Sequence, residues 1–281
     1  SPEESSSNTS LSWDAVRVYR LSEAKQYVTR AGARILALTD DPNVPQEGGA
    51  SSATILENFL EDWYYWSGSS ARQDVEVHFA NSNEQPRDYQ SGSLPSALIN
   101  TYALMYAVVH KTVSGVRRYP KASMWVNMTN YTISNKGAGP RFKVIAPYLD
   151  GMSCSMYPGM LTTATGVVAW SVSAYANSID DVISTLVDWR TVNPSLNQFA
   201  TWEVGTPIDR WNTTVGSNYG EPTATSRLSI RPRFYIGGRD ETGTNWAGFM
   251  NYLYNKCDTN GIIMREQCWW DSQVGADGNP Y

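Results

Sequence analysis

The sequence has few of the residues that build zinc sites and serine-hydrolase triads. Of its 281 residues, two are histidine and three are cysteine. His78 lies within a predicted strand and His110 on an apolar helix, where we expect structural hydrogen bonds. Two isolated histidines argue against a histidine-based zinc site and against a Ser-His-Asp triad. A Gly-X-Ser-X-Gly nucleophile elbow is also absent.

Long hydrophobic runs and clusters of basic residues are missing as well. Without a stretch of about 18 apolar residues, no transmembrane helix and no membrane partner are predicted. The net charge is −5 and no Lys/Arg cluster occurs, so we expect no nucleic-acid partner. No Gly-rich phosphate loop follows the first strand, which argues against a nucleotide-binding sheet.

The composition is that of a folded chain with many aromatic residues. Hydrophobic residues make up 41% and charged residues 17%, which favours one large core over disorder. Aromatic residues make up 12%, with 11 Trp and 17 Tyr. They fit either a Trp-rich core or a cleft whose flat rings stack on sugars, and the sequence leaves both readings open.

The N terminus and the cysteines bear on location and covalent structure. We expect residues 1–10 to be flexible and residues 11–281 to form one domain. The start, SPEESSSNTS, resembles a processed terminus. Cys257 and Cys268 could form a disulfide, whereas Cys154 is predicted to be a buried thiol. Sequons permit an extracellular or secreted protein, the location we expect; their asparagines are Asn8, Asn127, Asn130 and Asn212. The oligomeric state stays open.

Strands and helices are predicted to alternate along the whole chain. The predicted helices cover residues 22–30, 53–66, 95–114, 179–190 and 245–257. The predicted strands cover residues 15–19, 33–38, 75–84, 124–128, 142–148, 199–203 and 262–270. This alternation is typical of parallel βαβ units, and it predicts an α/β barrel or a doubly wound sheet.

Two of the predicted strands end in a glutamate that is soon followed by proline. The first stretch is VEVHFANSNEQP, with Glu84, and the second is FATWEVGTP, with Glu203. Active sites of barrels lie at the carboxyl ends of the strands. Retaining glycosidases need two carboxyl groups about 5 to 5.5 Å apart, one protonated and one ionised. A single glutamate at a strand end is usually a solvated loop residue, but the pair points to glycoside hydrolysis.

The same two motifs resemble those of clan A glycoside hydrolases. ANSNEQP resembles the Asn-Glu that ends strand four of that clan, and TWEVGTP resembles the Glu-X-Gly that ends strand seven. Between the two we count the strands MWVNM and VIAPY, which matches the offset from four to seven. The resemblance implies a TIM (β/α)8 barrel, with Glu84 as acid/base and Glu203 as nucleophile, no metal or organic cofactor, and a carbohydrate substrate.

Four further positions match the clan's pattern. The resemblance implies that Arg17 orients the nucleophile, although a salt bridge at the barrel end is an equal alternative. Asn83 matches the residue that binds a sugar 2-hydroxyl, and Tyr157 matches the tyrosine that contacts the nucleophile. Trp269 or Trp270 matches the aromatic floor after strand eight.

One departure from the clan leaves a second function open. Only two strands precede the Glu84 strand, and a first strand cannot be read in residues 1–14. The alternative is a non-catalytic barrel that binds carbohydrate or serves as a structural module of a larger assembly. Asp150 is expected to open a loop at a strand end, where it could line the cleft with Tyr157.

Overall fold

The fold is built on parallel β-strands. The computed structural model describes residues 15–18, 35–39, 44–65, 76–82, 85–156, 162–163, 166–167, 172–204 and 244–267. Its strands are β1 (Ala15–Val18), β2 (Ile35–Thr39), β3 (Glu76–Ala80), β4 (Thr112–Val113), β5 (Val116–Arg117), β6 (Ala122–Thr129), β7 (Gly151–Met156), β8 (Thr162–Thr163), β9 (Gly166–Val167), β10 (Gln198–Val204) and β11 (Ile263–Gln267). Seven of them form one parallel sheet in the order β1-β2-β3-β6-β7-β10-β11. The other four pair as two short antiparallel hairpins.

Helices connect the strands of the sheet, as the alternation predicts. They are α1 (Ala50–Tyr65), α2 (Ser96–Val109), α3 (Asn130–Lys136), α4 (Ala138–Phe142), α5 (Val172–Trp189) and α6 (Thr244–Thr259), with 3₁₀ turns at Gln85–Arg87 and Lys143–Tyr148. The predicted helix of residues 22–30 lies outside the described residues. A mixed α/β fold with a parallel sheet is therefore confirmed. In the part of the chain covered by the structure, no helix is long and apolar enough to span a membrane.

Helix α2 shows why the helix predictions largely hold. Its residues Leu98, Tyr102, Met105 and Val109 recur at helical spacing, and all four are fully buried. Pro95 precedes the first turn, where a missing N–H costs nothing. The helix ends five residues earlier than predicted, because the chain turns at His110 into the β4–β5 hairpin.

The strand predicted at Phe142–Tyr148 is wrong. This stretch is the end of α4 followed by the 3₁₀ turn that contains Pro147. Phe142, Ile145 and Ala146 are buried, and their i, i+3, i+4 spacing is that of a helix. The strand that follows is instead β7, with the sequence GMSCSM. A short apolar run can form either element, and period and proline decide between them.

The two faces of the sheet differ in chemistry. One face carries Val77 and Phe79 of β3, Met124 and Val126 of β6 and Met152 of β7, which pack in the apolar core with residues of α1, α2 and α5. The residues that alternate with them form the other face, which we call the polar face: Glu76, His78, Ser123, Trp125, Asn127, Ser153 and Ser155. The core therefore lies between sheet and helices.

An ion pair shows that the sheet curves around its polar face. Arg265 of β11 binds the carboxylate of Glu76 in β3, although β6, β7 and β10 lie between these strands. In a flat sheet, four strand spacings would separate them by about 19 Å, more than the two side chains can bridge. The polar face is therefore concave, as in the wall of a barrel. In the described residues the edge strands β1 and β11 are not paired with each other.

Two of the four sequon asparagines lie inside the fold. Asn127 in β6 and Asn130 at the start of α3 are both 0% exposed. A glycan on either side chain would not fit the folded protein, so these two sequons do not indicate secretion. Asn8 and Asn212 lie outside the described residues.

Candidate active site at the carboxyl ends of the strands

Two of the predicted site residues, Arg17 and Glu203, lie within strands of the sheet, and the others follow strands in the sequence. All seven strands of the sheet are parallel, so their carboxyl ends meet at one edge. Glu203 lies in β10 and Arg17 in β1, and the structure describes both through the backbone. The other predicted residues lie outside the described residues, and their roles stay predictions: Asn83, Glu84, Tyr157, Trp269 and Trp270.

The strand offset between the two motifs is present in the fold. Strands β6 and β7 lie between β3 and β10, so the strand that leads to Glu84 and the strand that carries Glu203 are three apart. The counting holds although one of the predicted intervening strands was wrong, because β7 takes its place.

A β-bulge decides the position of Glu203. Phe199 pairs with Met152 and Thr201 pairs with Cys154, which places both on the apolar face of the sheet. Regular alternation would put Glu203 on that face too. The register shifts between Thr201 and Glu203, so that Glu203 pairs with Ser155 of the polar face. The extra residue therefore moves position 203 into the concave side. The strand contains no glycine or proline from which the bulge could have been predicted.

The register also places Arg17. Its backbone pairs with Ala37, and Ala37 pairs with His78, which belongs to the polar face. By this register, positions 17 and 203 belong to the same face of the sheet. This placement agrees with the role that the resemblance implies, while the contact between the two side chains stays a prediction.

The chain on both sides of Asn83 and Glu84 is anchored to one residue that the sequence did not point to, Gln46. The amide of Asn81 donates to the backbone oxygen of Gln46 at 2.8 Å. The amide of Gln85 donates to the side-chain oxygen of Gln46 at 2.5 Å. Asn81 and Gln85 are 2% and 0% exposed, so these contacts are shielded from water. Gln46 is 35 residues away from Asn81, and no pattern in the sequence links them.

An aromatic and histidine layer fills the concave side below the carboxyl edge. The ring of Trp125 stacks on His78 at 4.6 Å between centroids and 16° between planes. Its indole N–H donates to Ser123 at 2.7 Å. Gly151 leaves room for this ring, because a Cβ there would lie 2.6 Å from three of its atoms. His78 is thus a structural residue, as predicted.

Glu76 is the acidic group of this layer, and it is held ionised. Hydrogen bonding from His78, aided by Arg265 and opposed by burial, lowers the pKa of the Glu76 carboxyl to about 2. His78 lies 3.1 Å from it. A carboxyl with so low a pKa cannot donate a proton at neutral pH. Glu76 therefore supports the layer and does not supply the acid that glycoside hydrolysis needs.

The expectation that Asp150 could line the cleft is wrong. Asp150 immediately precedes β7, so it lies at the amino end of the strands, opposite to the edge where the active site is expected. Its carboxylate accepts a hydrogen bond from the backbone N–H of Met124 at 2.7 Å and lies 2.9 Å from His110. It joins α2 to the sheet, and His110 has the structural partner that was expected.

Trp63, Trp125 and Trp189 are among the largest fully buried side chains. Trp63 and Trp189 pack in the apolar core, which supports the core reading for these two, whereas Trp125 lies on the polar face. Cys154 is buried, as predicted, and Cys257 is buried as well, but its possible partner Cys268 lies outside the described residues. No group of three or more His, Cys, Asp or Glu side chains in the described ranges could hold a metal ion.

Among the comparisons with known proteins, the one with solved structures found similar folds. No protein-family model matches the sequence, and no curated protein matches it either. A fungal β-1,4-galactanase structure is similar over 92% of this chain and 77% of its own, with a TM-score of 0.51 and 13% identity. The catalytic domain of a GH26 endo-β-1,4-mannanase from Bacillus sp. JAMB-750 follows with 0.48 and 12% identity over 92% and 61%.

A GH family 44 endoglucanase from Clostridium thermocellum has a TM-score of 0.47 and 11% identity, over 91% of this chain and 64% of its own. At such identities a likeness shows the fold alone, and of these three structures the galactanase has the TM-score above 0.5. The structure neighbours are glycoside hydrolases, and the chain shares its α/β fold with the galactanase.

Proposed function

We propose that the protein is a retaining glycoside hydrolase that cleaves a glycosidic bond in a polysaccharide or glycan. The observation that carries the proposal is the bulge of β10, which moves Glu203 from the apolar face to the polar, concave face. A bulge next to an active site commonly re-aims one side chain. Glu203 then lies on the side of the sheet that a substrate above the carboxyl edge would meet.

The proposed chemistry uses two carboxyl groups. Glu84 donates a proton to the glycosidic oxygen while Glu203 attacks the anomeric carbon, which forms a glycosyl-enzyme ester and releases the leaving alcohol. Glu84 then removes a proton from water, and the water's oxygen displaces Glu203 with net retention of configuration. In this proposal the sheet closes as a (β/α)8 barrel, and no metal or organic cofactor takes part.

Supporting roles in the proposal fall to residues around the two carboxylates. Arg17 is proposed to keep Glu203 ionised, because a guanidinium favours the charged form of a nearby carboxyl. Asn83 binds a sugar hydroxyl and Tyr157 orients Glu203. One of the two tryptophans after β11, Trp269 or Trp270, is the platform on which a sugar ring stacks.

The first test is hydrolysis of purified glycans by the wild-type protein and by Glu84→Gln and Glu203→Gln. β-1,4-Galactan is the first substrate to test, because the galactanase shares the fold. Other neutral β-linked polysaccharides, namely β-1,4-glucans, mannans and xylans, follow. We expect both variants to lose at least about 1,000-fold in kcat/KM, about 4 kcal/mol of transition-state stabilisation. NMR of the product as it is first released should show the same anomeric configuration as the cleaved bond of the substrate.

The matched control is Glu57→Gln, since Glu57 lies on α1 and pairs with Lys111 at 2.5 Å. It should retain wild-type activity. The variants must also keep the wild-type circular dichroism spectrum and melting temperature. If the wild-type protein binds glycans and cleaves none of them, the protein is a carbohydrate-binding or structural barrel and the enzyme proposal is wrong. If Glu84→Gln retains the hydrolytic activity of the wild type, Glu84 is not the acid/base and the proposed mechanism is wrong.

A further inference from the structure

The loop before α1, residues 44–49, contacts the chain that follows Glu84 through a line of polar side chains. The hydroxyl of Tyr102 donates to Gln85 Oε1 at 3.0 Å. Gln85 Nε2 donates to Gln46 Oε1, and Gln46 Nε2 donates to Asp88 at 2.9 Å. We call these four residues, Tyr102, Gln85, Gln46 and Asp88, the amide line.

The direction of the amide line is fixed at its Asp88 end. The Asp88 carboxylate only accepts hydrogen bonds, so Gln46 must present its N–H₂ to Asp88 and its oxygen to Gln85. Gln85 must then present its N–H₂ to Gln46 and its oxygen to the Tyr102 hydroxyl. Tyr102 and Gln85 are both 0% exposed. Leaving a buried polar group without its hydrogen-bond partner costs more free energy than a hydrogen bond contributes on average. The amide line therefore has one stable arrangement.

We propose that Gln46 is a positioning residue for the acid/base, an inference that rests on the proposed function of Glu84. Gln46 holds Asn81 through its backbone oxygen and Gln85 through its side chain. These two anchors lie three residues before and one residue after Glu84. Both flanks of the proposed acid/base are therefore tied to the same residue of the loop before α1. In the proposed function, the position of these flanks decides how well Glu84 reaches the glycosidic oxygen.

The test reverses one contact of the amide line and then restores it. Gln46→Glu replaces the N–H₂ that faces Asp88 with an acceptor oxygen, so two carboxylates face each other. Adding Asp88→Asn supplies an N–H₂ that can donate to the introduced carboxylate. The contact to Gln85 can form in both variants. Gln90→Glu is the control, because it places the same charge on an exposed residue two positions after Asp88.

The readout separates proton donation from general damage. On β-1,4-galactan, whose leaving group is a poor one, we expect Gln46→Glu to lower kcat about 10- to 100-fold, since a misplacement of about 1 Å can cost about 100-fold. On a 2,4-dinitrophenyl β-galactoside, which needs no proton for departure, formation of the glycosyl-enzyme should stay within about threefold of wild type. KM should change little, and the double variant should regain most of the lost kcat.

Hydrogen exchange of the peptide spanning residues 80–92 tests the anchoring without any substrate. Exchange should accelerate in Gln46→Glu, return toward wild type in the double variant and stay unchanged in Gln90→Glu. Unchanged exchange in Gln46→Glu would refute the anchoring. An equal loss on both substrates, or a loss that Asp88→Asn does not restore, would refute positioning in favour of a merely structural role.

The result also separates this inference from the proposed function. If Glu84→Gln abolishes galactan hydrolysis and Gln46→Glu does not lower it, the positioning role fails while the enzyme stands. If Glu84→Gln has no effect on catalysis, the proposed mechanism fails, and the positioning role fails with it, whatever the exchange result for Gln46→Glu.

Discussion

A single methyl group at Gly151 is predicted to disturb the layer beneath the candidate site. Gly151 has no left-handed backbone conformation, so its backbone allows alanine. The lower entropy of the unfolded chain would by itself make Gly151→Ala stabilising by about 0.4–1 kcal/mol. Its Cβ would, however, lie 2.6 Å from Cζ2, Cζ3 and Cη2 of Trp125. The indole cannot move aside without weakening its stack on His78 and its hydrogen bond to Ser123.

The expected net cost of Gly151→Ala is about 2 kcal/mol. Overpacking in a filled core costs about 1–3 kcal/mol, and the threatened stack and hydrogen bond contribute about 1 kcal/mol each. Part of this is offset by the entropy of the unfolded chain. Urea unfolding should show a lower midpoint at an unchanged slope, and the melting temperature should fall by about 4–8 °C.

A double-mutant cycle with Trp125→Leu checks the cause. Leucine removes all three atoms that the Cβ would approach, so Gly151→Ala should cost little or even stabilise in that background. The coupling between the two positions should be at least about 1 kcal/mol. The reasoning would be refuted if Gly151→Ala were harmless in the wild type, or equally costly in both backgrounds.

Two further predictions concern stability. The pKa of Glu76 is lowered to about 2 from 4.5, so the stability it contributes is complete above about pH 4.5 and is lost as the pH falls toward 2. A pKa shift is worth about 1.4 kcal/mol per pKa unit, less a discount for partial exposure. Between pH 6 and pH 3, the free energy of unfolding should therefore fall by about 1–2 kcal/mol less in Glu76→Gln than in wild type. An equal fall in both proteins would contradict this prediction. Thr129 caps α3 by accepting from the Thr132 N–H at 3.0 Å, so Thr129→Ala should cost about 1 kcal/mol in urea unfolding, whereas Thr129→Ser should cost much less.

The predicted elements that hold are those with a long, regular period. In α2, four apolar residues at helical spacing were enough to predict the helix from the sequence alone, because a helix buries one stripe of side chains whatever it packs against. The run Phe142–Tyr148 misled because it is short, and because its apolar residues suit a strand as well as a 3₁₀ turn. Its true role depends on Pro147 and on the loop that must lead into β7.

The sequence by itself determined that strands alternate with helices and that two strands lead to glutamates, because periodicity and strand-ending residues are local properties. Only the tertiary structure decided that Glu203 lies on the polar face, because a bulge depends on the neighbouring strands β7 and β11 and not on its own residues. Likewise, the contacts of Gln46 with Asn81 and Gln85 span 35 and 39 residues. Such contacts follow from how the strands order the loops at one edge of the sheet, which no local pattern encodes.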